Sequence, residues 1–407
     1  MTGDALPDLL TVLTGPRTEP GPLFAQLRER DPVCWIPGLD AWVVTRHEDV
    51  RLLCNEPRLT ADASAHEHYR PPTTTDPKAA RLLAALPFRA TPADPESLGR
   101  RLVHRTLSPR AIERTRQQIQ EAVEEFAAPL RRREDVVDLV GEFTKPISTT
   151  VIGRLLGVPD EGEIAVRFHN LPRAARNVRP FLSAAKREKA ERAGIEVFEF
   201  VLDLVESHRE ALREGIITDL LAAGEGNERT TTEDIVSVVA ALVATGTNTP
   251  GNGASRGLLS LLRNPDQLDL LRRDRSLLPN AIEELLRYDS GLVAMARYVL
   301  EDFELHNRTL KKGQLVILSL TGANRDPRVF ADPERIDISR DTRLSIAFGH
   351  GPHYCVGVHI ARSELHLMLD AALDFLSPHA RLLEDQIEWS SKGLMSQLKR
   401  LPVDLRG

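Results

Sequence analysis

The stretch that decides the reading of this chain is Ala347-Phe-Gly-His-Gly-Pro-His-Tyr-Cys-Val-Gly357, followed directly by VHIARSELHLMLDAALDFL over 358–376. Three glycines and a proline surround one cysteine, and the apolar spacing that follows predicts a long helix. A loop this rich in glycine can bring its backbone close to a flat or bulky group. A cysteine at a helix N-terminus faces unsatisfied N–H groups and the positive end of the dipole, which favours thiolate over thiol. Such a thiolate is a strong ligand for a soft or borderline metal. No companion ligand stands nearby, so a single-thiolate complex such as haem suits the loop better than zinc. A lone cysteine is also commonly an inert core residue, and composition alone leaves both readings open.

Working outward, the chain has 407 residues, 42% hydrophobic and 28% charged. That balance is globular and excludes disorder for the bulk of the chain, because enough apolar surface exists to offset the cost of ordering it. Length alone allows two to three domains or one large one. Lys+Arg is 53 against Asp+Glu 59, a formal charge of -6, so a chain-wide basic footprint for nucleic acid is absent. Cys34, Cys54 and Cys355 lie far apart with no CxxC pair, which excludes a disulfide scaffold and zinc-ligand spacing. The first residues, MTGDALPDLLTVLTGPRTEPG, lack a basic segment before an apolar run, and no window reaches about 18 consecutive apolar residues. Neither signal peptide nor membrane span is expected, and the setting is read as a reducing cytoplasm.

Val33–Ile36 and Ala41–Thr45 read as a hairpin about Pro37-Gly38, and His47–Asn55 as a short helix. Residues 56–97 read as a long loop; it contains His66-Glu67-His68, a possible metal triplet that a plain loop explains as well. From about 98 to 230 the pattern is mainly helical, restarting at Leu107-Ser-Pro-Arg110 and strongly charged over 183–214. Thr230 and Glu233 fit a capping box. The next segment, DIVSVVAALVATGTNTPGNGASRGLLSLLRN (234–264), is apolar on nearly all sides, which predicts a buried central helix. A helix over 279–288, strands near 296–299, 302–305 and 314–320, and a strand pair near 385–405 complete a mostly helical chain. No βαβ alternation points to a parallel sheet.

The spacing Phe348-x-x-Gly351-x-His353-x-Cys355-x-Gly357 resembles the haem-binding loop of the cytochrome P-450 family, and the likeness runs from AWVVTRHEDVR (41–51) to Leu401-Pro402-Val403. The resemblance implies a mainly α fold with minor β sheets and one domain over 1–407. Haem b (iron protoporphyrin IX) would lie between the central helix and the cysteine-loop helix. Cys355 would be the proximal thiolate, pushing electron density onto iron. Phe348 would pack near the sulfur, Gly349, Gly351 and Gly357 would let the backbone approach the porphyrin, and His353 would donate to a propionate. Arg100 and Arg297 match arginines that hold propionates, where guanidinium stays charged and bonds bidentately. Glu284-Leu-Leu-Arg287 resembles the family's ExxR pair, whose members share a helix face; Arg340 is expected to complete its buried network. Glu206–Arg209 and Glu210–Arg213 have the same spacing but sit in a charged helix and read as solvated faces.

The chain departs from the family at Glu96, where a histidine is usual, and at Ser345, where many bacterial relatives have a basic residue. In the central helix, Thr245-Gly-Thr-Asn-Thr-Pro250 keeps the alcohol at Thr249 but replaces the usual acid with Asn248. An amide can orient water but cannot release a proton as an acid does. Pro250 removes a backbone N–H and should kink the helix. Thr249 and Asn248 are therefore expected to form a rewired proton relay. The implied activity is a haem-thiolate monooxygenase inserting one oxygen atom from dioxygen into an apolar small molecule: a terpenoid, steroid, macrolide or fatty-acid-like compound. Electrons would come from a ferredoxin and ferredoxin reductase docking on Arg101, Arg105, Arg110 and Arg362 of a monomer. Competing readings are peroxide-driven or redox-neutral haem-thiolate chemistry and a nonenzymatic haem sensor. A nicotinamide dehydrogenase fails, because Gly251-Asn-Gly253 continues to Gly257, one residue late and inside a helix. The pocket is expected from the 60–95 loop, 165–185, Val243 to Thr249, Val293-Ala294 and Leu394-Met395.

Overall fold

The hairpin about Pro37-Gly38 forms in a computed structural model that describes residues 21–71, 109–159, 161–171, 184–211, 213–225, 231–392 and 394–406. After α1 (Gly21–Arg30), β1 (Val33–Ile36) pairs antiparallel with β2 (Ala41–Val44), placing Trp35 opposite Trp42. Their rings meet edge-on with centroids 5.3 Å apart, a favoured geometry for two ring quadrupoles. α2 (His47–Leu53) and the short β3 (Leu59–Thr60) follow.

Beyond residue 108 the chain is helical, as its periodicity predicts. α3 (Pro109–Leu130) leads through β4 (Val136–Asp138) and a π-type turn at Leu139–Thr144 into α4 (Lys145–Leu156). α5 (Glu163–Asn170), α6 (Ala184–Glu210) and α7 (Ile216–Glu225) follow. The next helix starts one residue later than its TTTE run implies: Thr231 is the cap, and Asp234 completes the box by accepting from the Thr231 N–H at 2.8 Å. A run of three threonines before two acids offers both registers, and the second is occupied.

The central helix is broken in two. α8 (Thr232–Gly246) stops, Asn248 leaves helical geometry at φ -136 and ψ -20, and α9 (Thr249–Leu262) restarts with Pro250 in its first turn. Proline suits that position because its missing N–H falls among the donors a helix start leaves unpaired. α9 packs on α4, α11 (Leu278–Asp289) and α13 (Val358–Phe375), with α10 (Pro265–Arg273) between α9 and α11 in sequence. Every residue from Pro250 to Leu261 is buried.

The main sheet has order β1-β2-β8-β5-β3. β5 (Ala294–Val299) pairs antiparallel with β8 (Leu315–Ser319), but β8 runs parallel to β2. The expectation of no parallel pairing is corrected here. The two partners are joined by most of the chain rather than by a βαβ crossover, so no local alternation could announce them. β6 (Phe303–Leu305) and β7 (Arg308–Leu310) form a small hairpin, α12 (Leu320–Asn324) follows β8, and β9 (Arg381–Leu382) pairs with β12 (Pro402–Asp404), which pairs with β4. β10 (Glu388–Lys392) and β11 (Met395–Arg400) are the expected late pair. The largest core joins the helices, including Phe143 and Phe375 edge-on at 5.1 Å, and two smaller clusters lie on either face of the main sheet. Each fully buried side chain of this size contributes roughly 1.5–3 kcal/mol. Among the described residues no helix is long and apolar enough to cross a membrane.

Candidate functional site

Cys355 sits between a single 3-10 turn, Gly351–His353, and the start of α13. Nested turns hold it: its N–H donates to the Phe348 carbonyl at 3.1 Å, and the Gly349 N–H donates to the Ile346 carbonyl at 2.9 Å. Gly349 and Gly351 have φ of 77 and 69, the left-handed region that favours glycine. A Cβ at Gly351 would also lie 2.5 Å from Asn55 Oδ1. At Gly357 a Cβ would meet nothing within 4 Å, so the backbone beside the cysteine faces open space among the described residues.

The expectation of a thiolate held by the helix dipole is corrected. α13 begins three residues after the cysteine, and burial pushes the Cys355 thiol up, outweighing the Gly357 N–H and the Arg362 charge that pull it down. The protein alone therefore keeps a thiol, and a metal would have to displace its proton. Phe348 packs on the helical core, and the Arg362 guanidinium lies 5.1 Å over its ring. Arg362 also donates to both oxygens of Glu283, at 2.5 and 3.0 Å.

Glu284 and Arg287 on α11 are fully buried and bidentate, at 2.6 and 2.9 Å. Arg340 Nε donates to Glu284 Oε1 at 3.0 Å, completing the expected trio. The Asp337 N–H adds a further bond to that oxygen, while Arg287 reaches the carbonyls of Asn324 and Pro333. The segment leading into the cysteine loop is thereby pinned to α11. Glu206, Arg209 and Glu210 are exposed, as their charged helix implies.

Arg297 on β5 is 6% exposed, and its one printed hydrogen bond runs to the neighbouring Ala296 carbonyl at 2.8 Å. Among the described residues no carboxylate pairs with it, and burial lowers its pKa against only the nearby Cys54 thiol. A buried cation with no counter-charge is expensive, so its surroundings call for an anionic group. His353 lies in the 3-10 turn of the cysteine loop, half-buried.

On the broken helix, Thr245 and Thr249 are exposed although the helix around them is buried, which marks a cavity wall. Asn248 donates to Thr247 Oγ1 at 3.1 Å and does not cap α9. Val243 lies in the helical core rather than at the cavity; it points to the side of α8 that α6 covers. Val293, Ala294 and Leu394 share one apolar cluster, joined by a Val293 N–H to Leu394 carbonyl bond of 2.9 Å. Arg100, Arg101, Arg105, Glu96, the 72–95 part of the loop and 172–183 lie outside the described residues, as does the Arg110 side chain. Of the His66-Glu67-His68 triplet, Glu67 and His68 gather with Asp40, while His66 packs on Tyr298.

Sequence reading missed Glu364, a fully buried carboxyl on α13 pushed up to about 8 by burial. Its signal was present: it falls on the apolar stripe of Leu365, Met368, Leu369 and Ala372.

These residues fit a haem. A thiol in a glycine turn with an open side, an unpaired buried arginine and a cavity wall on the facing helix are what a flat, dianionic metal complex requires. A family model described as Cytochrome P450 matches residues 160–379. Cytochrome P450 107B1 of Saccharopolyspora erythraea is 32% identical, over 99% of each chain. Cytochrome P450 monooxygenase PikC of Streptomyces venezuelae is 30% identical, over 95% of this chain and 91% of that one. The solved structure of cytochrome P450epoK with epothilone D bound superposes with a TM-score of 0.85 at 25% identity, over 100% of both chains. Fold, cysteine loop and full-length relatives agree: this chain belongs to the cytochrome P450 family and is a haem-thiolate monooxygenase.

Proposed function

We propose that Cys355 ligates a haem b group, and that the enzyme inserts one oxygen atom of dioxygen into an apolar small molecule with electrons from a ferredoxin and its reductase. The observation that carries this is the pairing of a cysteine beside the open Gly357 backbone with the buried, uncompensated Arg297. When bound, the haem supplies the activation of dioxygen. Arg297, His353 and Arg100 hold its propionates, and Phe348 shields the sulfur. The Glu284–Arg287–Arg340 network keeps the cysteine loop in place and takes no part in chemistry. Thr249 holds a proton at the cavity wall, and Asn248 orients water beside it. The apolar cluster at Val293, Ala294 and Leu394 selects a carbon-rich substrate. Of the four classes considered, a macrolide-like compound has the support of the relative that holds epothilone D.

The deciding experiment is the carbon monoxide difference spectrum of the reduced holoprotein, with Cys355→Ser beside it. A thiolate-type band in the parent that vanishes in the variant is expected. A parent without that band, or a variant that keeps it, overturns the assignment. The break at Asn248–Pro250 favours one second reading, a peroxide-driven oxidation; turnover with peroxide alone at the rate of the electron-driven reaction would establish it.

A further inference from the structure

A polar seam lies behind the first turn of α9. Ser148 Oγ on α4 donates to Glu364 Oε2 on α13 at 2.9 Å. The hydroxyls of Thr144 and Ser255 lie 2.6 Å apart, and Ser255 Oγ donates to the Gly251 carbonyl at 2.8 Å. All four side chains are 3% exposed or less. Gly251 lets the seam close on the helix: a Cβ there would lie 3.1 Å from Ser148 Oγ and 2.7 Å from the Thr144 carbonyl. Ser148 therefore rests against the backbone two residues after Thr249, at the point where α8 and α9 part.

Glu364 has no structural reason to be an acid. Among the described residues no cation acts on it from α4, α9 or α13; burial and the Ser148 hydroxyl alone set its state. Such a carboxyl survives by keeping its proton, and a glutamine would keep the Ser148 bond without an ionisable group. On the other side of the break, Asn248 cannot release a proton. The cavity thus lacks an acid on its wall while a neutral acid sits one helix turn behind it.

We propose that Glu364 is the proton reservoir for the cavity at Thr249, acting through Ser148 as a positioning pair in place of the acid that Asn248 lacks. This rests on the monooxygenase reading. The carboxylic O–H passes its proton to Ser148 Oγ, whose own hydroxyl proton moves on toward the α8–α9 break. The carboxylate then regains a proton from solvent. Only O–H bonds break and form, and no electrons move.

The test needs no substrate. Holoenzyme is reduced by a surrogate ferredoxin and its reductase, and dioxygen consumption is followed in H2O and D2O across pH. Glu364→Gln and Ser148→Ala are each expected to slow consumption at least about tenfold and to raise the solvent isotope effect. Asn248→Asp in the Glu364→Gln background should restore the rate. Independently of turnover, the infrared difference between parent and Glu364→Gln should contain a protonated carboxyl band that persists through neutral pH. A purely structural role would move stability but neither the isotope effect nor the rescue. Unchanged rates and isotope effects in Ser148→Ala, with the carbon monoxide band intact, overturn the relay even if Glu364→Gln does not fold. Loss of that band in the parent would instead overturn the monooxygenase reading.

Discussion

Replacing Glu364 by glutamine keeps its volume and its acceptor for Ser148 Oγ, and removes one titrating proton. Complete burial pushes the native carboxyl up to about 8 from an ordinary 4.5, against a single opposing hydroxyl. Below the ordinary value both folded and unfolded chains hold the proton, and burial carries no ionisation cost. As pH climbs through 4.5 toward 8, the unfolded chain releases the proton and the folded one keeps it, so stability falls. The slope approaches 1.36 kcal/mol per pH unit, so roughly 3 kcal/mol is lost by pH 7. That is a large share of the ~5–15 kcal/mol that holds a typical domain. The glutamine variant lacks this loss. Paired urea unfolding of parent and variant holoprotein, from about pH 5 to about pH 9, should show their free energies diverging by roughly 3 kcal/mol and then running parallel above the native titration. A difference that stays flat across the range would refute the reasoning, because the carboxyl would then be ionised or solvated in the fold.

Arg297→Leu should speed haem release to a scavenging apoglobin roughly 10- to 100-fold, the loss of a charge-assisted bond worth ~1.5–3 kcal/mol. The haem-free form of that variant should unfold at no lower urea concentration than the parent, since it sheds an uncompensated buried cation; a lower midpoint would contradict this. Glu284→Gln leaves Arg287 and Arg340 without their carboxylate and should cost about 3–5 kcal/mol in urea unfolding. A cost under about 1 kcal/mol would place the pair among dispensable contacts. His208 is buried with Nδ1 2.8 Å from the Leu204 carbonyl, and burial lowers its pKa. Its contribution is fully present above the ordinary histidine value of 6.5 and is lost as pH falls below it, while the unfolded chain takes up a proton. His208→Asn should therefore flatten the acid side of the thermal midpoint curve, and an unchanged acid slope would exclude that role.

The sequence by itself determined whatever local covalent geometry and short-range spacing control. The cysteine turn, the Glu284–Arg287 face, the hairpin about Pro37-Gly38 and the break before Pro250 each follow from a few adjacent residues and all form as read. The capping register at Thr231 slipped by one because three like residues satisfy the same rule. Only the tertiary structure decided the parallel pairing of β2 with β8, the isolation of Arg297, the raised thiol of Cys355 and the stranded acid at Glu364. These are consequences of desolvation and of which distant segments cover a group. Burial is summed over neighbours hundreds of residues away, so no window of the chain contains the information.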